Sequence, residues 1–148
     1  MLSLFDKEPY FDIVGRLQQL TPDSKAVWGK MTVAQMFAHC AEAFKVPLGQ
    51  RKVSRGLLGF LFGKSVKKKI LAHGFKKNLP TSSYLKINDA RDFYEEKQGL
   101  MTVMAKFYSG GPDNLITLKH PFFGKLTGEE WGWIMHKHLD HHFSQFGV

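Results

Sequence analysis

Five of the seven histidines in this 148-residue chain fall in two places: His39, and the run His136, His138, His141 and His142. Imidazole is the commonest protein ligand for transition metals and a general acid or base near neutral pH. On a helix, residues four apart lie about 40° from eclipsed and roughly 6 Å apart, so His138 and His142 can direct their rings at one ion. His136 falls near the opposite side. His141 is about 60° round the helix from His138, so a His138/His141 pair is possible but less well aligned. Joined by His39 from a neighbouring helix, the i,i+4 pair supplies three neutral nitrogen ligands and leaves positions open for water or substrate, as a catalytic site requires. Imidazole ligation suits zinc, nickel, copper and iron alike, so the expected cofactor is a divalent transition metal, with zinc, nickel and iron the leading choices.

Each feature alone has a blander reading. A lone i,i+4 histidine pair is ordinarily solvated surface, and a lone buried histidine ordinarily packs against a polar partner. Here, however, His138 and His142 share a stripe with Trp131, Ile134, Met135 and Gln145, and His39 lies within the apolar Met36/Phe37/Cys40 region. Neutral imidazoles in a core need partners, and one shared ion satisfies all three.

Other residues could assist. Gln35, one turn before His39, and Gln145, just past His142, can orient a ligand's second nitrogen or bind a water on the metal, and His141 flanks the set. Glu42 is the best-placed acid on its helix for a general base. His120 precedes Pro121 in a loop that could fold over the bundle end, while Phe122 and Phe123 would pack that loop on the core. Cys40 lies about 100° from His39 and reads as a small core residue, because a nucleophilic role needs a lowered thiol pKa. Trp131 and Trp133 read as packing residues, with Trp131 able to line a pocket.

The elements that must position these groups are helical. A first helix is expected from about Asp6 to Leu20, with Phe11, Val14, Leu17 and Leu20 on its apolar face, and Thr21-Pro22-Asp23 offers a cap for a short helical turn. Thr32-Val-Ala-Gln35 has the form of a capping box that opens the helix of His39, which Pro47 and Gly49 end. Asp89 can cap a third long helix to about Tyr108, with Phe93, Leu100, Val103, Met104 and Phe107 facing the core. Gly110-Gly-Pro-Asp113 breaks the chain, and Leu115 to Leu118 is ambiguous between strand and loop. Thr127-Gly-Glu-Glu130 is a second capping box, opening a last helix from about Gly128 to Phe146. Four such helices predict an all-α bundle forming one domain over residues 1–148.

The net charge of +8 is local. Nine cations and no acid lie between Arg51 and Lys77, and the remainder carries 12 Lys/Arg against 13 Asp/Glu. Residues 51–79 therefore form a basic insert between the second and third helices, interspersed with Leu57, Leu58, Leu61, Phe62, Val66, Ile70 and Leu71. The pattern is amphipathic, although Gly56, Gly59 and Gly63 argue against one unbroken helix. It reads first as a solvated helix covering one bundle face, next as a contact for a membrane surface or anionic substrate, and last as a nucleic-acid surface, for which no recognition motif is present. The single cysteine excludes an intrachain disulfide, and neither a signal sequence nor a transmembrane run is evident, so a cytoplasmic location is expected.

The segments Trp28-Gly-Lys-Met-Thr-Val-Ala-Gln-Met-Phe-Ala-His39 and His138-Leu-Asp-His-His142-Phe-Ser-Gln145 resemble the two metal-site helices of the DinB/YfiT-like metalloenzymes. His120-Pro-Phe-Phe-Gly-Lys-Leu-Thr-Gly-Glu-Glu-Trp131 resembles the lead-in to the last helix in one uncharacterised branch. The resemblance implies an up-down four-helix bundle with His39, His138 and His142 as ligands. It also implies a small-molecule substrate and metal-activated water or thiol chemistry: hydrolysis, or S-transfer with a low-molecular-weight thiol. Apart from the resemblance, exposed apolar faces on the bundle helices would allow a homodimer. The rival reading is a noncatalytic metal-binding or interaction module whose basic insert contacts an anionic surface.

Overall fold

A computed structural model describes residues 1–117 and 119–148, and it is mostly helical. Helices α1 (Lys7–Gln19), α2 (Val33–Lys45), α3 (Leu57–His73), α4 (Phe93–Gly110) and α5 (Gly128–Gln145) follow in order. A small antiparallel hairpin, β1 (Lys119–His120) and β2 (Gly124–Lys125), pairs His120 with Gly124 just before α5. Helix α2 packs on α4 and α1 on α5, and α2 also meets α5, which brings the two histidine-bearing helices together.

Both capping boxes form. Thr32 Oγ1 accepts from the Gln35 backbone at 3.2 Å while Gln35 Oε1 accepts from the Thr32 N–H at 3.0 Å, and Thr127 and Glu130 repeat the exchange at 3.1 and 3.0 Å. These reciprocal bonds satisfy amides that an α-helix leaves unpaired at its start. They fix where α2 and α5 begin, and hence which face carries each histidine. The core beneath is aromatic, with Phe37, Phe44, Phe107, Trp131 and Phe143 fully buried.

Three local expectations are corrected. Asp92, not Asp89, caps α4: its carboxylate accepts from the Glu95 N–H at 2.9 Å, whereas Asp89 pairs with Arg91 at 3.0 Å. On α1 the buried positions are Tyr10, Ile13 and Leu17, and Phe11 is exposed, edge-on to Tyr10, because the buried stripe runs one position away from it. Thr21 to Ser24 forms a turn closed by Ser24 N–H to Thr21 O at 3.0 Å rather than a helical turn. In the Leu115 to Leu118 stretch, Leu118 lies outside the described residues, and the strand pairing begins at Lys119.

The largest correction concerns the basic insert. Helix α3 is continuous through Gly59 and Gly63, which face the hairpin backbone. A Cβ on Gly59 would lie 2.9 Å from the Phe122 carbonyl oxygen, and one on Gly63 would overlap that same atom, so glycine is what lets helix and hairpin meet. Only Gly59, Gly63 and Ile70 of α3 are buried, and its apolar first turns do not cover the rest of the fold.

Candidate metal centre

Helix α2 sets His39 among Met36, Phe37 and Cys40, all buried, and α5 sets His138 and His142 on the face it shares with Trp131, Met135 and Gln145. The three histidines are 4%, 8% and 8% exposed, which excludes a solvated surface pair. Their ring centroids lie 5.1 Å (His39–His138), 4.6 Å (His39–His142) and 4.8 Å (His138–His142) apart. One nitrogen from each ring falls within 4.8 Å of the other two, a grouping able to hold a metal ion.

Two of the rings are held in a defined tautomer. His39 Nδ1 lies 2.8 Å from the Leu85 carbonyl, and a carbonyl only accepts, so Nδ1 carries the proton and Nε2 presents a lone pair. Gln145 Nε2 donates to the Trp28 carbonyl at 2.7 Å, which turns its Oε1 toward His142 Nδ1 at 2.9 Å. His142 is thereby protonated on Nδ1 and presents Nε2. This is the usual support for metal-ligating histidines, whose outer N–H goes to a carbonyl or carboxylate.

His138 supplies the test of fit. Its Nε2 lies 3.1 Å from His39 Nε2, and its Nδ1 is buried without a partner among the described residues. Two ligands at Zn–N distances of about 2.05 Å and a tetrahedral angle stand roughly 3.3 Å apart, close to that spacing. The donor set therefore fits a divalent ion that prefers imidazole.

Burial keeps the cluster neutral. Desolvation pushes His142 down to about 3, His39 below its ordinary value and His138 well below it, with the neighbouring histidines adding to the depression at His138. Neutral imidazole is the ligating form, so protons compete weakly for the site at pH 7.

A family profile described as "Protein of unknown function (DUF1569)" matches residues 11–147. The chain belongs to the DUF1569 family. Among curated proteins and solved structures, none matches it. In this DUF1569 chain the matched span includes all three histidines and the groups that orient them.

The remaining candidates separate by position. Gln145 contacts a ring of the triad. Gln35 does not: its amide serves the α2 capping box and donates to the Asp89 carbonyl at 3.0 Å. Glu42 is ion-paired 2.6 Å from Lys45 and 2.6 Å from Arg51, and stands outside the histidine group. His120 also stands outside it, because its Nδ1 accepts from the Phe122 and Phe123 N–H groups at 3.1 Å each while its ring stacks on Phe123. His141 flanks the site, its ring centroid 5.0 Å from that of His142. Burial pushes the Cys40 thiol up, consistent with an inert core residue.

Sequence reasoning missed the contribution of the insert. Beyond α3, the Phe75 ring lies 5.5 Å from His138 and 6.0 Å from His141, and Lys77 sits 4.2 Å over the Trp28 ring. Leu85, further along, supplies the carbonyl that orients His39. A backbone acceptor carries no residue-type signal, and Phe75 is one of thirteen phenylalanines, so neither stood out.

Proposed function

We propose that this chain is a metal-dependent enzyme of the DinB/YfiT-like type, in which His39, His138 and His142 hold a divalent zinc, nickel or iron ion. The carrying observation is the convergence of one ring nitrogen from each histidine, with two of the rings locked by hydrogen bonds to Leu85 and Gln145. The α1, α2, α4 and α5 contacts support a four-helix bundle with α3 as its insert in one domain. Bound there, the ion supplies Lewis acidity that lowers the pKa of a water or thiol, suiting hydrolysis or S-transfer on a small molecule. The chain itself orients the ligands, keeps them neutral, and screens the site with Phe75. His141, beside His142 and hydrogen-bonded to the Phe75 backbone, flanks the ligands, while Glu42 and His120 are held by other partners. Cys40 is buried and inert, so a reacting thiol comes from a small molecule.

A second reading, an ion of purely structural use, draws on the depth of the site. Two surface cavities, of about 290 Å³ beside Leu48, Phe107 and Leu115 and about 160 Å³ beside Leu2, His136 and Asp140, both leave the triad untouched. Cobalt(II)-loaded protein separates the two. On the enzymatic reading, adding a low-molecular-weight thiol or a small anion changes the visible ligand-field spectrum, and a bound thiol adds sulfur-to-cobalt charge transfer. A spectrum unmoved by either class of ligand favours the structural ion and contradicts the proposal.

The orienting role of Gln145 has its own test. Gln145→Ala keeps all three ligands yet is expected to weaken metal affinity about 10–100-fold, read by competition with a chromophoric chelator. Unchanged affinity would leave Gln145 with packing alone.

A further inference from the structure

We propose that the exposed N-terminal half of α3 is a docking surface for an anionic lipid bilayer. Leu57, Leu58, Phe60, Leu61 and Phe62 are between 54% (Phe62) and 73% (Leu57) exposed, a contiguous run of large apolar side chains at one end of the helix. The opposite side of the helix is held down by Gly59 and Gly63 against the hairpin and by Ile70. At 100° per residue, Leu57, Leu58 and Leu61 point away from that buried side, with Phe60 and Phe62 flanking them. One to two turns further on, the outward face changes to Lys64, Lys68 and Lys69, all exposed. Lys67, on the inner side, is instead paired with Glu130 at 2.7 Å.

The order along the helix decides the occupant. An interfacial helix lies in the membrane plane with its apolar face buried about 5–10 Å, and the outward Leu57, Leu58 and Leu61 supply such a face. Lys64, Lys68 and Lys69 continue the outward side, where they meet the headgroups, and no acid of the segment Arg51–Lys77 lies among them. A second copy of the chain would bring Lys64, Lys68 and Lys69 of each face to face, so self-association through this surface opposes its own charge. Nucleic acid would pair with the lysines but leave the three leucines unburied. No helix among the described residues is long and apolar enough to cross a membrane, so the contact is with the surface. The inference is independent of the metal reading.

The test is co-sedimentation of the full chain at low salt with phosphatidylcholine vesicles, with and without phosphatidylserine. Binding is expected only with phosphatidylserine. Lys64→Gln/Lys68→Gln/Lys69→Gln should weaken it about a hundredfold, on the order of fivefold per lysine. Leu58→Ser/Leu61→Ser should weaken it at least about tenfold, and since both leucines are exposed its helical circular dichroism should equal that of the parent. Phe60→Trp should shift its emission to the blue on anionic vesicles. Absence of binding to phosphatidylserine vesicles overturns the proposal. So does binding that survives the leucine pair, which would be charge adsorption alone, or a leucine pair that converts a dimer to a monomer, which would make a second copy the occupant.

Discussion

Replacing His142 by alanine is expected to lower metal affinity about a hundredfold to a thousandfold while leaving the helical content unchanged. The magnitude follows from four-ligand zinc sites, whose binding free energies of roughly 10–16 kcal/mol amount to about 2.5–4 kcal/mol per ligand. His39→Ala should behave alike, because each ring contributes one of three converging nitrogens. The contrast with Gln145→Ala is informative. Loss of the orienting amide should cost less than loss of the ring it orients, since the lone pair is still present and only its aim is relaxed. Equal losses in both would mean that the ring fails to bind without its support. No loss in either histidine variant would remove the triad from consideration.

Acid is expected to destabilise the metal-free chain. His142 titrates at about 3 in the fold and near 6.5 when unfolded, so between those values the unfolded state binds the extra proton. The stability tied to its neutrality is therefore complete above about pH 6.5 and is lost as the pH falls toward 3. At pH 5 the loss from His142 alone is about 2 kcal/mol, taking 1.36 kcal/mol per pH unit over the interval. Burial depresses His39, His138 and His120 as well, so all four act with the same sign. Urea midpoints measured in chelator at pH 7, 6 and 5 should fall steadily, and zinc should raise them at pH 7. A midpoint flat across that range would show that these rings are not held neutral by burial.

What could be read from the residues was what is local. The capping boxes at Thr32 and Thr127 act over three positions, so they identify the starts of α2 and α5 without knowledge of the fold. The His138/His142 stripe is likewise a property of one helix. His39 is 99 residues from His138, and no spacing rule joins them; resemblance did, and packing of α2 on α5 brings them together. Asp89 and Asp92 stand three residues apart with equal capping chemistry, and the choice fell to Asp92 because Arg91 and Gln35 engage Asp89. The insert misled for another reason. Periodicity reports that a helix has an apolar face but not whether anything covers it, and α3 is anchored by Gly59 and Gly63, residues ordinarily taken as helix breakers. Its leucines are left in solvent, and the following segment turns back over the histidines.

The most direct test of the central claim is metal content, counted by elemental analysis of the chain purified without added metal, beside His138→Ala treated identically. Among the described residues His138 hydrogen-bonds only to His39, so its removal disturbs the ion more than the fold. One divalent transition metal per wild-type chain, and almost none in the variant, is the predicted result. Substoichiometric metal that His138→Ala does not reduce would contradict the three-histidine centre.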